Sequence, residues 1–124
     1  MTRLLALTVL LSAAGGAATG AARLECDDAY TTPAIERCLT RVRNREDSLL
    51  RSTERRVRAR LDSTGVHRFD SATVAWERYR ETECQSVYDW YTPGTIAPIE
   101  YLTCQIALAR ERRANLHELY NLDR

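Results

Sequence analysis

The chain has 124 residues, of which 18 are arginine and 17 are acidic, and its formal net charge is +1. A strongly basic composition would indicate a nucleic-acid or membrane-surface partner, and this chain does not have such a composition. Only three prolines and five glycines interrupt the sequence, and no run alternates polar and apolar residues between glycine turns. We therefore predict an all-α protein, a small disulfide-stapled bundle of about three helices.

The first 22 residues have the composition of an export signal. Arg3 precedes an apolar run over residues 4–11, and small residues follow as far as Ala22. The run is shorter than the roughly 20 apolar residues that span a bilayer. We therefore predict a signal peptide at residues 1–22 and one exported domain at residues 23–124, in a periplasm or outside the cell. No cysteine directly follows the small residues, so we expect no lipid anchor and no membrane span.

The first helix is predicted to begin where Thr31 or Thr32 supplies a hydroxyl cap before Pro33. It is predicted to end at Ser63-Thr64-Gly65. Its apolar positions recur at spacings of three and four, with one gap. These positions are Ile35, Cys38, Leu39, Val42, Leu49, Thr53, Val57 and Leu61. The pattern predicts one apolar stripe along a helix of about 28 residues.

The first helix is also basic, because residues 37–60 hold nine arginines and three acids. Export argues against nucleic acid as the partner of this stretch. Part of the charge can be compensated between residues four apart, which are Arg43 with Asp47, Asp47 with Arg51, and Glu54 with Arg58. The remaining arginines form either a solvated face or a contact surface for an anionic envelope polymer or lipid headgroup.

Two further helices are predicted after the first. Asp70 and Ser71 are expected to cap the second helix, which ends at Thr92-Pro93-Gly94. The apolar face predicted for it consists of Ala72, Trp76, Tyr79, Glu83 or Cys84, and Val87. The third helix is predicted from about Ile99 to Tyr120, and its apolar face consists of Leu102, Ile106, Ala109, Leu116 and Tyr120.

All four cysteines, Cys26, Cys38, Cys84 and Cys104, lie beyond the predicted signal, and this favours disulfides over metal binding. No two of them form a CxxC pair, and both histidines stand apart from them, so we expect neither a metal nor a cofactor. Four cysteines permit three pairings. We favour 26 with 38 and 84 with 104, because each pair closes a short loop. Such bonds would stabilise a domain of about 102 residues, whose core is thin.

Catalysis is not indicated by the sequence. His67 is expected in the turn before the second helix and His117 near the C-terminus, and neither belongs to a nucleophile motif. Glu77 and Glu81 share a helix face, and paired carboxylates can perform acid–base chemistry. On a charged helix, however, such pairs are more often solvated. We therefore predict that the protein is not an enzyme.

The segment 88–95 places three aromatic residues at the tip of the predicted helical hairpin. Aromatic side chains on a loop are typical interface anchors. We predict Asp89, Trp90, Tyr91 and Thr95 as partner contacts. The alternative is that Trp90 and Tyr91 cover the end of a small core.

A set of motifs in the second half of the chain resembles the LprI-like family, whose members are described as lysozyme inhibitors. The motifs are the run WERYRETEC from Trp76 to Cys84, the segment GTIAP at residues 94–98, Cys104, and Arg112 four residues before Leu116. The resemblance also includes the N-terminal cysteine pair and covers nearly the whole exported domain. The family usually has Gly-Ser at residues 94 and 95 and a threonine at the position of Ala109.

The resemblance implies roles for particular residues and for the protein. Trp76 and Tyr79 would belong to the core, and Arg80 and Arg112 would be partly buried polar ties. The protein would be an exported binding protein that inhibits a lysozyme-type muramidase by occlusion. Such enzymes are commonly basic, so an acidic hairpin with an aromatic tip would be steered to the cleft. The alternative is a non-enzymatic envelope scaffold or stress-related module whose basic helix binds anionic envelope components or a protein partner.

Overall fold

The computed structural model describes residues 25–124, and the predicted signal peptide at residues 1–22 lies outside them. These residues form three helices, α1 at Thr32–Arg58, α2 at Ser63–Tyr91 and α3 at Ala97–Leu119. Residues 25–124 contain no strand, so the all-α prediction is confirmed. None of these three helices is apolar enough over a sufficient length to cross a membrane.

The helix α1 begins as predicted, but the boundary between α1 and α2 differs from the prediction. The carboxylate of Asp62 accepts a hydrogen bond from the N–H of Gly65 at 2.7 Å and thereby caps α2. Gly65, expected to end the first helix, therefore lies in the first turn of the second. His67 lies within α2 instead of in a turn, and Asp70 is an interior residue of α2 instead of its cap.

The break between α2 and α3 occurs at Thr92-Pro93-Gly94, as predicted, and the peptide bond between Thr92 and Pro93 is cis. The helix α3 then begins at Ala97, slightly before the predicted start at Ile99. The reason is that Pro98 occupies the first turn of α3, where a missing N–H is tolerated, instead of preceding the helix.

The helix α3 is the central element of the bundle. Both α1 and α2 pack on α3, and they contact each other mainly through side chains. Glu46 and Thr53 of α1 contact residues 110 and 117 of α3, so these two helices run parallel. Cys84 in α2 is bonded to Cys104 in α3, and α2 returns antiparallel to it. We call the end that holds the α2–α3 loop and the start of α1 the tip end.

The core consists of two apolar clusters, one at each end of the bundle. The cluster at the tip end contains Cys26, Leu39, Val42, Ile99, Leu102 and Ile106. The cluster at the opposite end contains Leu50, Val57, Phe69, Ala109, Leu116 and Leu122. On α1 the buried Glu46 lies between them, at the gap in the predicted apolar stripe.

Glu46 is only 4% exposed, and its carboxylate is held by arginines. Arg110 and Arg113 of α3 each donate to it at 3.0 Å, and Arg45 approaches it at 3.5 Å. A buried carboxylate requires such partners, because removing an unpaired charge from water is unfavourable by roughly several kcal/mol. The gap in the stripe is therefore a buried ionic cluster.

The predicted apolar faces of α1 and α2 are wrong in part. Leu49 is 40% exposed, whereas Leu50 is buried, because the inward stripe of α1 runs through residues 42, 46, 50, 53 and 57. The helix α2 fully buries only Phe69 and Cys84, and Ala72 on its predicted apolar face is exposed. The reason is that α2 packs mainly on α3, so only a narrow side of it is covered.

Candidate functional site

The aromatic tip, which we define as residues 88–96, is formed by the last turn of α2 and the following loop. Trp90 is 83% exposed, and Tyr91 and Ile96 are also exposed. Trp90 therefore does not cover the end of the core, and its ring is available to a partner. Asp89 accepts a hydrogen bond from the amide nitrogen of Gln85 at 2.9 Å, and Thr95 is exposed.

Tyr88 fixes the aromatic tip to α3. Its ring meets that of Tyr101 edge to face, with centroids 6.4 Å apart. The hydroxyl of Thr92 donates to the carbonyl of Tyr88 at 3.0 Å and so ends the helix locally. The disulfide between Cys84 and Cys104, one to two turns below, joins the two helices behind the tip. The tip is thus an exposed aromatic surface on a cross-linked support.

Glu81, one member of the carboxylate pair suggested by the sequence, has a structural role. The hydroxyl of Tyr101 donates to both of its oxygens, at 3.0 and 2.8 Å, and Gln105 donates at 3.2 Å. Burial, together with the nearby Glu81 carboxylate, raises the pKa of Tyr101 above its usual value. Glu77 has no such contacts in the described residues and is exposed.

The N-terminal arm, residues 25–31, is tied to the bundle at the tip end. Cys26 and Cys38 form a disulfide, with their Cα atoms 5.9 Å apart. Glu25 binds Arg45 at 2.5 Å and also binds Arg110. The hydrogen bond from Arg45 is the largest cause that lowers the pKa of Glu25, and the pKa of Arg45 is raised in turn. Both disulfide pairings favoured from the sequence are those of the structure.

The charge of the tip end is negative. Residues 26–41 and 84–104, which build this end, include five acids and two arginines. The formal excess is three negative charges. An excess of this kind attracts a basic partner over distances up to about 10 Å at ordinary ionic strength.

Trp76 of α2 contacts two arginines, Arg80 and Arg112, which bind carboxylates of α1. The guanidinium carbons of Arg80 and Arg112 lie 5.5 and 4.9 Å from the centroid of the Trp76 ring. Arg80 binds Asp47 at 2.8 Å, and Arg112 binds Glu54 at 3.0 Å. Both arginines are largely buried ties between helices.

These contacts contradict the pairing predicted within α1. Asp47 pairs with an arginine of α2 and Glu54 with one of α3, instead of with arginines four residues away. Arg58 likewise pairs with Asp70 of α2 at 2.6 Å. Tyr79, expected in the core, is 52% exposed, because it lies at the edge of the α2–α3 contact where α3 covers only part of its ring.

A groove between α1 and α2 was not foreseen from the sequence. Its volume is about 250 Å³, and it is lined by Asp47, Leu50, Arg51, Glu54, Trp76, Glu77, Arg80, Glu81 and Gln105. Most of its charged groups already have partners in the protein. No local signal marks this groove, because its lining comes from three separate segments of the chain.

Comparison with known proteins identifies the family. A family model described as "Lysozyme inhibitor LprI" matches residues 25–116. The chain belongs to the LprI family. The resemblance found from the motifs is thereby confirmed. No curated protein and no solved structure gives a significant match to the chain.

The part of this LprI protein that matches the family contains both the arm and the aromatic tip. It begins at Glu25, where the arm is tied to Arg45, and ends at Leu116 in the core of the opposite end. Within residues 25–124, no group of three or more histidine, cysteine or acidic side chains is arranged to hold a metal ion.

Proposed function

We propose that the protein is an exported binding protein that inhibits a lysozyme-type muramidase by occluding its cleft. The observation that carries the proposal is the 83% exposed ring of Trp90 on the cross-linked tip of a chain of the LprI family. Export to a periplasm or to the cell exterior is supported by the two disulfides, which persist in oxidising compartments. The predicted signal peptide at residues 1–22 belongs to the same proposal.

Occlusion requires only that the inhibitor fill the place of the substrate. Lysozyme-type enzymes cleave a glycosidic bond between two carboxyl groups at the base of a cleft. The side chains of Trp90 and Tyr91 project from the tip, and bulky aromatic groups of this kind anchor interfaces. Asp89 and Thr95 add polar contacts beside them. The negative tip end favours approach to a basic enzyme.

An activity assay tests the proposal directly. Purified protein of residues 23–124 is added to lysozyme, and turnover of a cell-wall substrate is followed. We expect turnover to fall with increasing inhibitor and to reach its minimum near a 1:1 complex. Undiminished turnover at a large molar excess would contradict the proposal.

A second candidate function is binding to an anionic envelope component. Arg51 and Arg55 of α1 are exposed, and neither forms an ion pair with another residue of the described chain. Their charge is thus available to a polyanion, whereas Arg58 is engaged by Asp70. This function predicts that R51Q/R55Q protein is no longer retained on isolated envelopes and still affects lysozyme as the wild type does. Retention that does not respond to salt would contradict it.

A further inference from the structure

An apolar cavity lies beside the aromatic tip, at the same end of the bundle. Its volume is about 300 Å³, and it is lined by Cys26, Asp27, Ala29, Ile35, Leu39, Ile96 and Ile99. We call it the socket. Leu39 and Ile99 are buried, whereas Ile96 is exposed. The socket is therefore apolar in its depth and open to solvent at its mouth.

The socket is formed before any partner arrives, because its arm wall is fastened at several points. The Cys26–Cys38 disulfide joins the arm to α1, and Glu25 binds Arg45 and Arg110. The N–H of Ala29 donates to the carbonyl of Cys26 at 3.1 Å, which closes a turn in the arm. A preformed site avoids most of the ordering entropy that binding otherwise loses.

The size and lining of the socket define its occupant. A volume of about 300 Å³ is at the lower limit of ligand pockets, which hold whole small molecules from roughly that size upward. It accommodates one large apolar side chain, and central pockets that receive such anchors dominate interface energetics. Asp27 belongs to the lining, and the tip end carries its excess of three negative charges. An occupant that matches both properties is an apolar side chain on a basic protein surface.

We infer that the socket receives one large apolar side chain of the muramidase, from the basic surface beside the cleft that the aromatic tip fills. The inference rests on the proposed function and adds a second point of contact to it. Ile96 connects the two points, since it lies in the loop of the aromatic tip and also lines the socket. One partner surface therefore meets the tip and the socket together.

Variants that change the socket and leave the aromatic tip intact test this inference. Ala29→Leu fills the cavity, and Ile35→Ala removes part of its wall. We expect each variant to raise the Kd for purified lysozyme at least about tenfold, as loss of an interface anchor does. Asp27→Asn leaves the apolar lining in place and should slow association at low salt. Val74→Ala, an exposed apolar change on α2 far from the tip end, serves as the control and should leave the Kd unchanged.

The outcomes separate this inference from the proposed function. Calorimetric titration with lysozyme supplies the Kd, and circular dichroism verifies that each variant is folded. If the wild type binds lysozyme and the three socket variants bind equally well, the inference is overturned and the proposed function stands. If the wild type binds no lysozyme, both are overturned. If dodecanoate binds the wild type but not A29L, while lysozyme binding is the same in both, the socket serves a small apolar ligand and the inference is likewise overturned.

Discussion

The carboxylate of Glu46 in α1 accepts a hydrogen bond from the guanidinium of Arg113 in α3 at 3.0 Å, between the two apolar clusters of the core. Its other oxygen accepts from Arg110, also at 3.0 Å. Compared with apolar packing, a buried ion pair adds little net stability, yet removing one partner is strongly unfavourable. We expect this contact to determine which turns of α1 and α3 face each other.

Glu46→Gln should lower the free energy of unfolding by about 2 to 3 kcal/mol. The amide cannot accept from Arg110 and Arg113 with a negative charge, so both guanidinium groups lose their counter-charge. Denaturant titration measures the change, and the exposed Glu118→Gln on α3 is the matched control. Equal stability of the wild type and E46Q would show that the buried pair is energetically neutral.

Removing the disulfide behind the aromatic tip should destabilise the protein by about 3 kcal/mol. The double variant Cys84→Ala and Cys104→Ala opens a loop between residues that are 20 apart in sequence. The second double variant, Cys26→Ala and Cys38→Ala, opens a separation of 12 and should have a slightly smaller effect. Guanidinium titration compares the two, and a larger loss in the second variant contradicts the expectation.

Trp90→Ala should separate binding from stability. Because the ring is mostly outside the core, the free energy of unfolding should change by no more than about 0.5 kcal/mol. Inhibition of lysozyme should weaken at least about tenfold, since the ring is the proposed anchor. Leu119→Ala removes another highly exposed apolar side chain, at the opposite end, and should leave inhibition unaltered. If W90A inhibits as well as L119A does, the aromatic tip is not the contact surface.

The arm should be released by acid. The pKa of Glu25 lies below its ordinary value of 4.5, chiefly because Arg45 donates to the carboxylate. A carboxyl of this kind stabilises the fold above its unfolded pKa, and the contribution is lost as pH falls through the folded pKa. The stability difference between the wild type and Glu25→Gln should therefore be full at about pH 7 and should shrink toward about pH 3.

Denaturant titrations at both pH values measure this difference. Asp28→Asn is the control, since this exposed carboxyl of the same arm forms no hydrogen bond or ion pair with other described residues. A difference between the wild type and E25Q that stays constant over the whole range would mean that the ion pairs of Glu25 do not stabilise the arm.

Much of the fold was predictable because capping residues, prolines and glycines mark several of the helix ends in the sequence itself. The Thr31 hydroxyl caps α1 at 3.4 Å beside Pro33, and Pro93-Gly94 ends α2. The start of α2 was misplaced because two aspartates, Asp62 and Asp70, both have the chemistry of a cap. Only the packing of the chain determines that Asp62 is the one that caps α2. Gly65, three residues later, therefore lies inside the helix.

The inward face of α1 could not be predicted in full, because it depends on charges from another part of the chain. Glu46 interrupts an apolar stripe and therefore gives the sequence pattern of an exposed position, yet Arg110 and Arg113 make its burial possible. Asp47 has arginines four residues away on both sides and still pairs with Arg80. The aromatic tip was found from sequence, since it stands at a Pro-Gly break, whereas the socket joins segments that only folding brings together.

The central position of α3 has a consequence for synthesis. The chain emerges from the ribosome with α1 and α2 first, and these two helices pack on each other far less than on α3. The native bundle therefore forms only after residues 97–119 have emerged, and Cys84 has no bonding partner until Cys104 follows. Until then the earlier helices lack the surface on which both of them pack, and this delay would favour the unfolded state that the proposed export requires.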